Sequence, residues 1–234
     1  MKPSMTGSGL LTDSLKTIVV VGLLFTVGAF GQEANRTNLG PERSIKGRTI
    51  VSQELPKAEL TVAKGFRFAG TQRVNLYGNA DAEQYLFVKV GSRRIVDRFY
   101  WIQFEHFLPT NNRTYDYASK LTTEIGDLQF GYDVKSWPDY AAMQVEDPAS
   151  DGAAIERLLA KHDLSFPRRT ARVRMFHLPS ADHRTELMII YGEALPQYSG
   201  VPVRQGGVEL DTESPTSAQA FLDHARRWLV VRTQ

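Results

Sequence analysis

The strongest pattern in the chain lies between Phe66 and Leu108, where aromatic and β-branched residues come in three runs. Phe66–Tyr77, Glu83–Val90 and Ile95–Leu108 read as strands, with turns at Gly78-Asn79-Ala80-Asp81 and at Gly91-Ser92. Long strands joined by short turns predict an antiparallel meander, closed by Pro109-Thr110-Asn111-Asn112. Asp127–Trp137 predicts a fourth strand, with Leu128, Phe130, Tyr132 and Val134 alternating to one side and Pro138 ending it. Thr170–Leu178 and Arg184–Ala194 predict a hairpin around Pro179-Ser180-Ala181-Asp182. Leu187-Met188-Ile189-Ile190-Tyr191 is apolar on both sides, so this strand is expected to be central and covered on both faces.

Two stretches have helical spacing. Ser150 or Asp151 caps a short helix to about His162, with Ile155, Leu158 and Leu159 on one stripe and Pro167 as a stop. Near the C-terminus, Ser214 is the cap and Pro215 the first residue of a second helix. Its stripe is Ala218, Phe221, Leu222, Ala225, Trp228 and Leu229. Arg226, Arg227 and Arg232 sit at its end, where the macrodipole favours cations. That stripe needs a sheet to cover. The order of strands, helix, hairpin and helix predicts an α+β fold. Its mostly antiparallel, curved sheet, a meander plus a hairpin, packs against the C-terminal helix and the second, short one.

Ile18–Phe30 is a nearly unbroken apolar run. It falls short of the roughly 20 residues a spanning helix needs and fits the apolar region of a signal peptide, about 7–15 residues. Lys2 and Lys16 precede it, and Ala29-Phe30-Gly31 places small residues where a signal peptidase needs them. The expectation is a signal peptide over 1–31, a polar Gly- and Pro-broken linker over 32–57 with one short strand at Thr49–Ser52, and a single domain over 58–234. Such a protein works in the periplasm or outside the cell. An uncleaved run would instead tether the chain to a membrane, and a buried core element is the third option.

Composition narrows the chemistry. Lys and Arg number 28 and Asp and Glu 26, a net charge of +2, which is too even to argue for nucleic acid. Contact with a membrane is expected only through an uncleaved N-terminal run. With no cysteine there is no disulfide, thiolate nucleophile, zinc–thiolate site or iron–sulfur cluster. Phosphate-cradling glycine loops, a Gly-x-Ser-x-Gly elbow and His-Glu-x-x-His are missing from the chain, so no cofactor and no metal is expected. His177 and His183 flank the hairpin turn but bring no third ligand with a known spacing.

Candidate binding residues come from strand alternation. In Ile95–Leu108 one side carries Val96, Tyr100, Ile102, Phe104 and Leu108, a core face. The other carries Asp97, Phe99, Trp101, Gln103, Glu105 and Phe107, mixing large aromatics with hydrogen-bonding groups as a ligand pocket does. With Tyr85 and Phe87 from the neighbouring strand, Phe99, Trp101, Gln103 and Glu105 form the expected site for a small apolar or amphipathic ligand. The competing expectation is a strand covered on both sides, with Trp101 packed under the C-terminal helix. Arg172 and Arg174 share a strand face, where they either clamp an anion or pair with Glu186 across the hairpin. The first functional expectation is thus a non-enzymatic envelope or secreted binding protein. A scaffold that binds partners through its surface is the second. A hydrolase-like enzyme using His106, Glu105 and Asp116 or His177 is the third.

Overall fold

A computed structural model describes residues 42–119, 121–137, 147–167, 170–194 and 215–234. The Ile18–Phe30 run, the cap Ser214 and the 197–211 loop lie outside the described residues. So do Arg168, Arg169 and Pro138. The strands are β1 Ser44–Lys46, β2 Thr49–Ser52, β3 Ala58–Val62, β4 Arg67–Leu76, β5 Ala80–Val90, β6 Val96–Phe107, β7 Thr122–Ile125, β8 Leu128–Trp137, β9 Thr170–His177, β10 Thr185–Ala194 and β11 Leu229–Thr233. The helices are α1 Asp151–Ala160 and α2 Pro215–Arg227. They build an α+β fold of open, antiparallel sheets with one helix near the C-terminus.

The larger sheet runs β4-β5-β6-β10-β9-β8-β7 and the smaller β1-β2-β3-β11. The predicted meander is β4-β5-β6 and the predicted hairpin is β9-β10, with β10 central between β6 and β9. As its two-sided apolar sequence requires, β10 feeds two cores. Leu187, Ile189 and Tyr191 enter one, and Met188 and Ile190 enter the other. The first core lies between the two sheets and α2, whose Ala225 carbonyl accepts a 2.5 Å hydrogen bond from the buried Tyr100 hydroxyl. The second lies under α1, where Ile155, Leu158 and Leu159 cover Leu86, Val88, Phe99 and Trp101. Ser150 caps α1, its side chain accepting from the Ala153 N–H.

Four expectations need correction. The stretch read as linker supplies β1 beside the expected strand at Thr49–Ser52, which is β2, and Ile50 and Val51 bury beside β3. The C-terminal helix ends at Arg227 rather than running on through Leu229. From Leu229 the burial alternates, Leu229 and Val231 in and Val230 and Arg232 out, and the chain pairs with β3 as β11. Trp101 is covered by α1, not by the C-terminal helix.

The last correction concerns which residues share a face. Val90 pairs with Val96, but Lys89 pairs with Arg98, so Asp97 is an extra residue in β6. This bulge inverts the alternation beyond it. Tyr85 then pairs with Ile102 and Phe87 with Tyr100, which puts both on the inter-sheet face, opposite to Phe99 and Trp101. Val96, expected beside Tyr100, lies with Trp101 instead. Gly91 makes room for the bulge, since a Cβ there would sit 2.1 Å from the Asp97 carboxylate.

Candidate ligand-binding site

The expected site residues fall into three places. Tyr85 and Phe87 are fully buried between the sheets. Phe99 and Trp101, 1% and 0% exposed, are sealed under α1. Gln103, Glu105, Arg172 and Arg174 share the face of Trp101; Glu105 stands across from Glu186 and Arg174 across from Asp133, while Arg172 lies at the level of Gly192 and Phe99.

A chain of hydrogen bonds crosses from the apolar half to the polar one. The Trp101 indole donates to Gln103 Oε1 at 3.1 Å, as Gln84 Nε2 does at 2.8 Å. Gln103 Nε2 donates to Glu105 Oε2 at 2.6 Å, and Glu105 Oε1 accepts from the Tyr115 hydroxyl at 2.7 Å. Glu186 stands directly across from Glu105 on β10 and accepts from the Tyr117 hydroxyl at 2.5 Å. Every donor here is spent on a carboxylate or amide oxygen, which is what lets such groups stay out of water.

Burial pushes the Glu186 carboxyl up from its ordinary 4.5 to about 8, against the Tyr117 hydrogen bond and with the Glu105 charge adding to the rise. Burial likewise raises Glu105 and the α1 residue Asp151 above the usual carboxylate range. Two like charges facing each other on adjacent strands repel, so the pair retains a proton near neutrality. Arg174 does not serve this pair as an anion clamp. Its guanidinium is bonded to Asp133 on the far neighbour β8, with Nε 3.1 Å from Oδ2, and not to Glu186. The cross-hairpin pairing is overturned because Arg174 stands opposite Ile190, four residues from Glu186.

Tyr115 and Tyr117 come from the extended segment 108–119, which crosses the end of the sheet. Its Tyr115 N–H donates to the His183 carbonyl at 2.8 Å. The two rings lie parallel, 6.5 Å apart, Tyr115 stacked on Phe107 at 4.4 Å and Tyr117 on Phe176 at 3.8 Å. Phe176 lies flat because Gly131 stands beside it on β8; a Cβ there would meet the ring at 2.3 Å. Outside this wall is a groove of about 370 Å³ lined by Tyr115, Tyr117, Phe176, Asp116, His177 and Gln129, among others. It joins an apolar aromatic wall to polar side chains that face it.

The triad of the enzyme expectation is not assembled. His106 lines a separate cavity of about 240 Å³ with Arg43, Asp81 and Glu83, whereas Asp116 and His177 line the groove. His177 and His183 do share the groove. Among the described residues, though, no group of three or more His, Cys, Asp or Glu side chains is placed to hold a metal. Sequence reasoning missed Tyr115, Tyr117, Glu186 and Asp133 as site members. The Tyr-Asp-Tyr spacing was the available signal, since alternate residues of an extended segment point the same way. Set against protein-family models, curated proteins and solved structures, the chain matches none.

Proposed function

We propose that the protein is exported and binds a small amphipathic ligand in the groove walled by Tyr115, Tyr117 and Phe176. The carrying observation is that this wall is held in place before any ligand arrives. Each tyrosine ring is stacked on a phenylalanine, and each hydroxyl is tied to a buried carboxylate. A rigid aromatic surface spends little entropy on binding, and the volume falls within the range of roughly 300–1,000 Å³ common for ligand pockets. Asp116, His177 and Gln129 give the polar end of a ligand its partners. A surface scaffold has weaker support. Among the described residues the large exposed apolar side chains, such as Leu55, Tyr77, Leu121 and Val230, come from separate elements rather than one run.

Native mass spectrometry of the purified protein tests the reading. The expected result is a bound small molecule that is lost in Tyr117→Ala and kept in Trp101→Phe. A ligand-free mass in protein taken directly from its source cells, under gentle ionisation, would defeat it.

A further inference from the structure

We propose that the tip of the β5–β6 hairpin docks on an anionic membrane surface, with Arg93 and Arg94 contacting the lipid phosphates. The tip is a tight turn in which the Ile95 N–H donates to the Ser92 carbonyl at 3.1 Å and the Gly91 N–H to the Ile95 carbonyl at 2.8 Å. Its two central residues are both left-handed, Arg93 at φ 55° and Arg94 at φ 62°. Hairpin turns of this kind favour Asn-Gly, because an L-residue with a long side chain is strained there. Here two consecutive arginines hold those positions. Local strain of this sort persists where the surroundings enforce it, and it accumulates at functional sites. The enforcement comes from Ser165, whose N–H donates to the Arg94 carbonyl at 3.3 Å while its carbonyl accepts from the Val96 N–H at 3.0 Å.

Charge at this end of the sheet is lopsided although the whole chain is nearly balanced. Lys89, Arg93, Arg94 and Arg98 lie on the hairpin and Arg67 on adjoining β4, with Lys161 at the end of α1. The carboxylates near them are Asp97, Asp163 and Glu193. Glu193 faces Arg98 at 3.8 Å. Arg94 reaches Asp163 at 3.4 Å and donates to the His162 carbonyl at 3.3 Å, but the Arg94 and Asp163 side chains are 66% and 81% exposed, contacts weak enough to exchange for phosphate. Arg93 is exposed and engages no described residue. Ile95, 37% exposed, sits beside the arginines. A protruding turn with cations around one aliphatic side chain suits the headgroup layer, where cations pair with phosphate and the aliphatic group enters the acyl boundary. The occupant is therefore a lipid surface, and the proposal does not depend on the ligand groove.

Co-sedimentation of the full chain with vesicles tests it, comparing phosphatidylcholine alone with phosphatidylcholine containing phosphatidylglycerol. Whatever the Ile18–Phe30 run contributes is common to both, so the readout is the preference for anionic vesicles. We expect that preference to be about tenfold or more and to fall as salt rises. R93N/R94G, which gives the turn the residues it favours, should melt no lower than the wild type and lose the preference. R93K/R94K should retain it, as should R113Q, which removes a charge at the opposite end of β6. Equal binding to both vesicle types overturns the proposal, as does an unchanged preference in R93N/R94G. Release by millimolar inorganic phosphate at constant ionic strength also overturns it, assigning the tip to free phosphate.

Discussion

On one face of the large sheet, β6 and β10 pass from an apolar half to a polar half within a few residues. Phe99, Trp101 and Ile190 lie under α1, and Gln103, Glu105 and Glu186 lie beyond it. Side chains of the first half are satisfied by contact alone, because Ile155, Leu158 and Leu159 take them out of water. In the second half each buried polar group must instead have a named partner, and the partners arrive from segment 108–119 as Tyr115 and Tyr117. A ten-residue helix is about 15 Å long and does not cover a face this size. The sheet is thus held by packing where it is dry and by hydrogen bonds where it is polar, and the groove opens on the polar side.

The sharpest way to break this contrast is Trp101→Ala. The side chain is fully buried at the centre of the α1 core, so its removal leaves a cavity and frees Gln103 of a donor. The expected loss is about 3–5 kcal/mol in urea unfolding, with α1 detaching first. A loss under about 1 kcal/mol would mean that the apolar half is not the stable one.

Next in size is the pH dependence of the polar half. The Glu186 carboxyl is raised in the folded state, so the folded protein holds its proton more tightly than the unfolded chain does. The stability this gives is fully present below about 4.5 and is lost as pH rises through about 8. The loss across that window is on the order of a few kcal/mol. Glu186→Gln should remove most of the slope, leaving a shallower one from Glu105 and Asp151, which burial also raises. Equal slopes in the two proteins, from denaturant midpoints at pH 5, 6, 7 and 8, would contradict the assignment.

How much of this was legible follows the same division. The strands of the large sheet other than the short edge strand β7 were readable because β-branched and aromatic residues set them out locally, and the two-sided apolar run of β10 announced its central place. The face shared by two strands was not, because one bulge residue, Asp97, inverted it. Counting alternation within a strand cannot reveal a slip made between strands. Leu229 fits a helix stripe and a strand equally well; pairing with β3, far away in sequence, decided it. For the site, alternation placed Gln103, Glu105 and Arg174 on one face of the sheet, but none of the expected binding residues lines the groove, and Tyr115 and Tyr117, which do, were missed. Their role comes from a crossing segment whose path is fixed by backbone bonds such as Tyr115 N–H to His183.

The smallest expected effect separates the ring of Tyr117 from its hydroxyl. Tyr117→Phe keeps the stack on Phe176 and removes the donor to Glu186 Oε1. The cost in stability should be about 1 kcal/mol, because a buried acceptor loses one partner while the packing stays. If the hydroxyl serves to fix the wall of the groove, ligand affinity should fall severalfold through faster dissociation, with the ring still in place to be contacted. Tyr117→Ala, which removes wall and tether together, should abolish binding outright. A Tyr117→Phe protein with wild-type dissociation kinetics would show that stacking alone holds the wall, and that the carboxylate pair belongs to the fold rather than to the site.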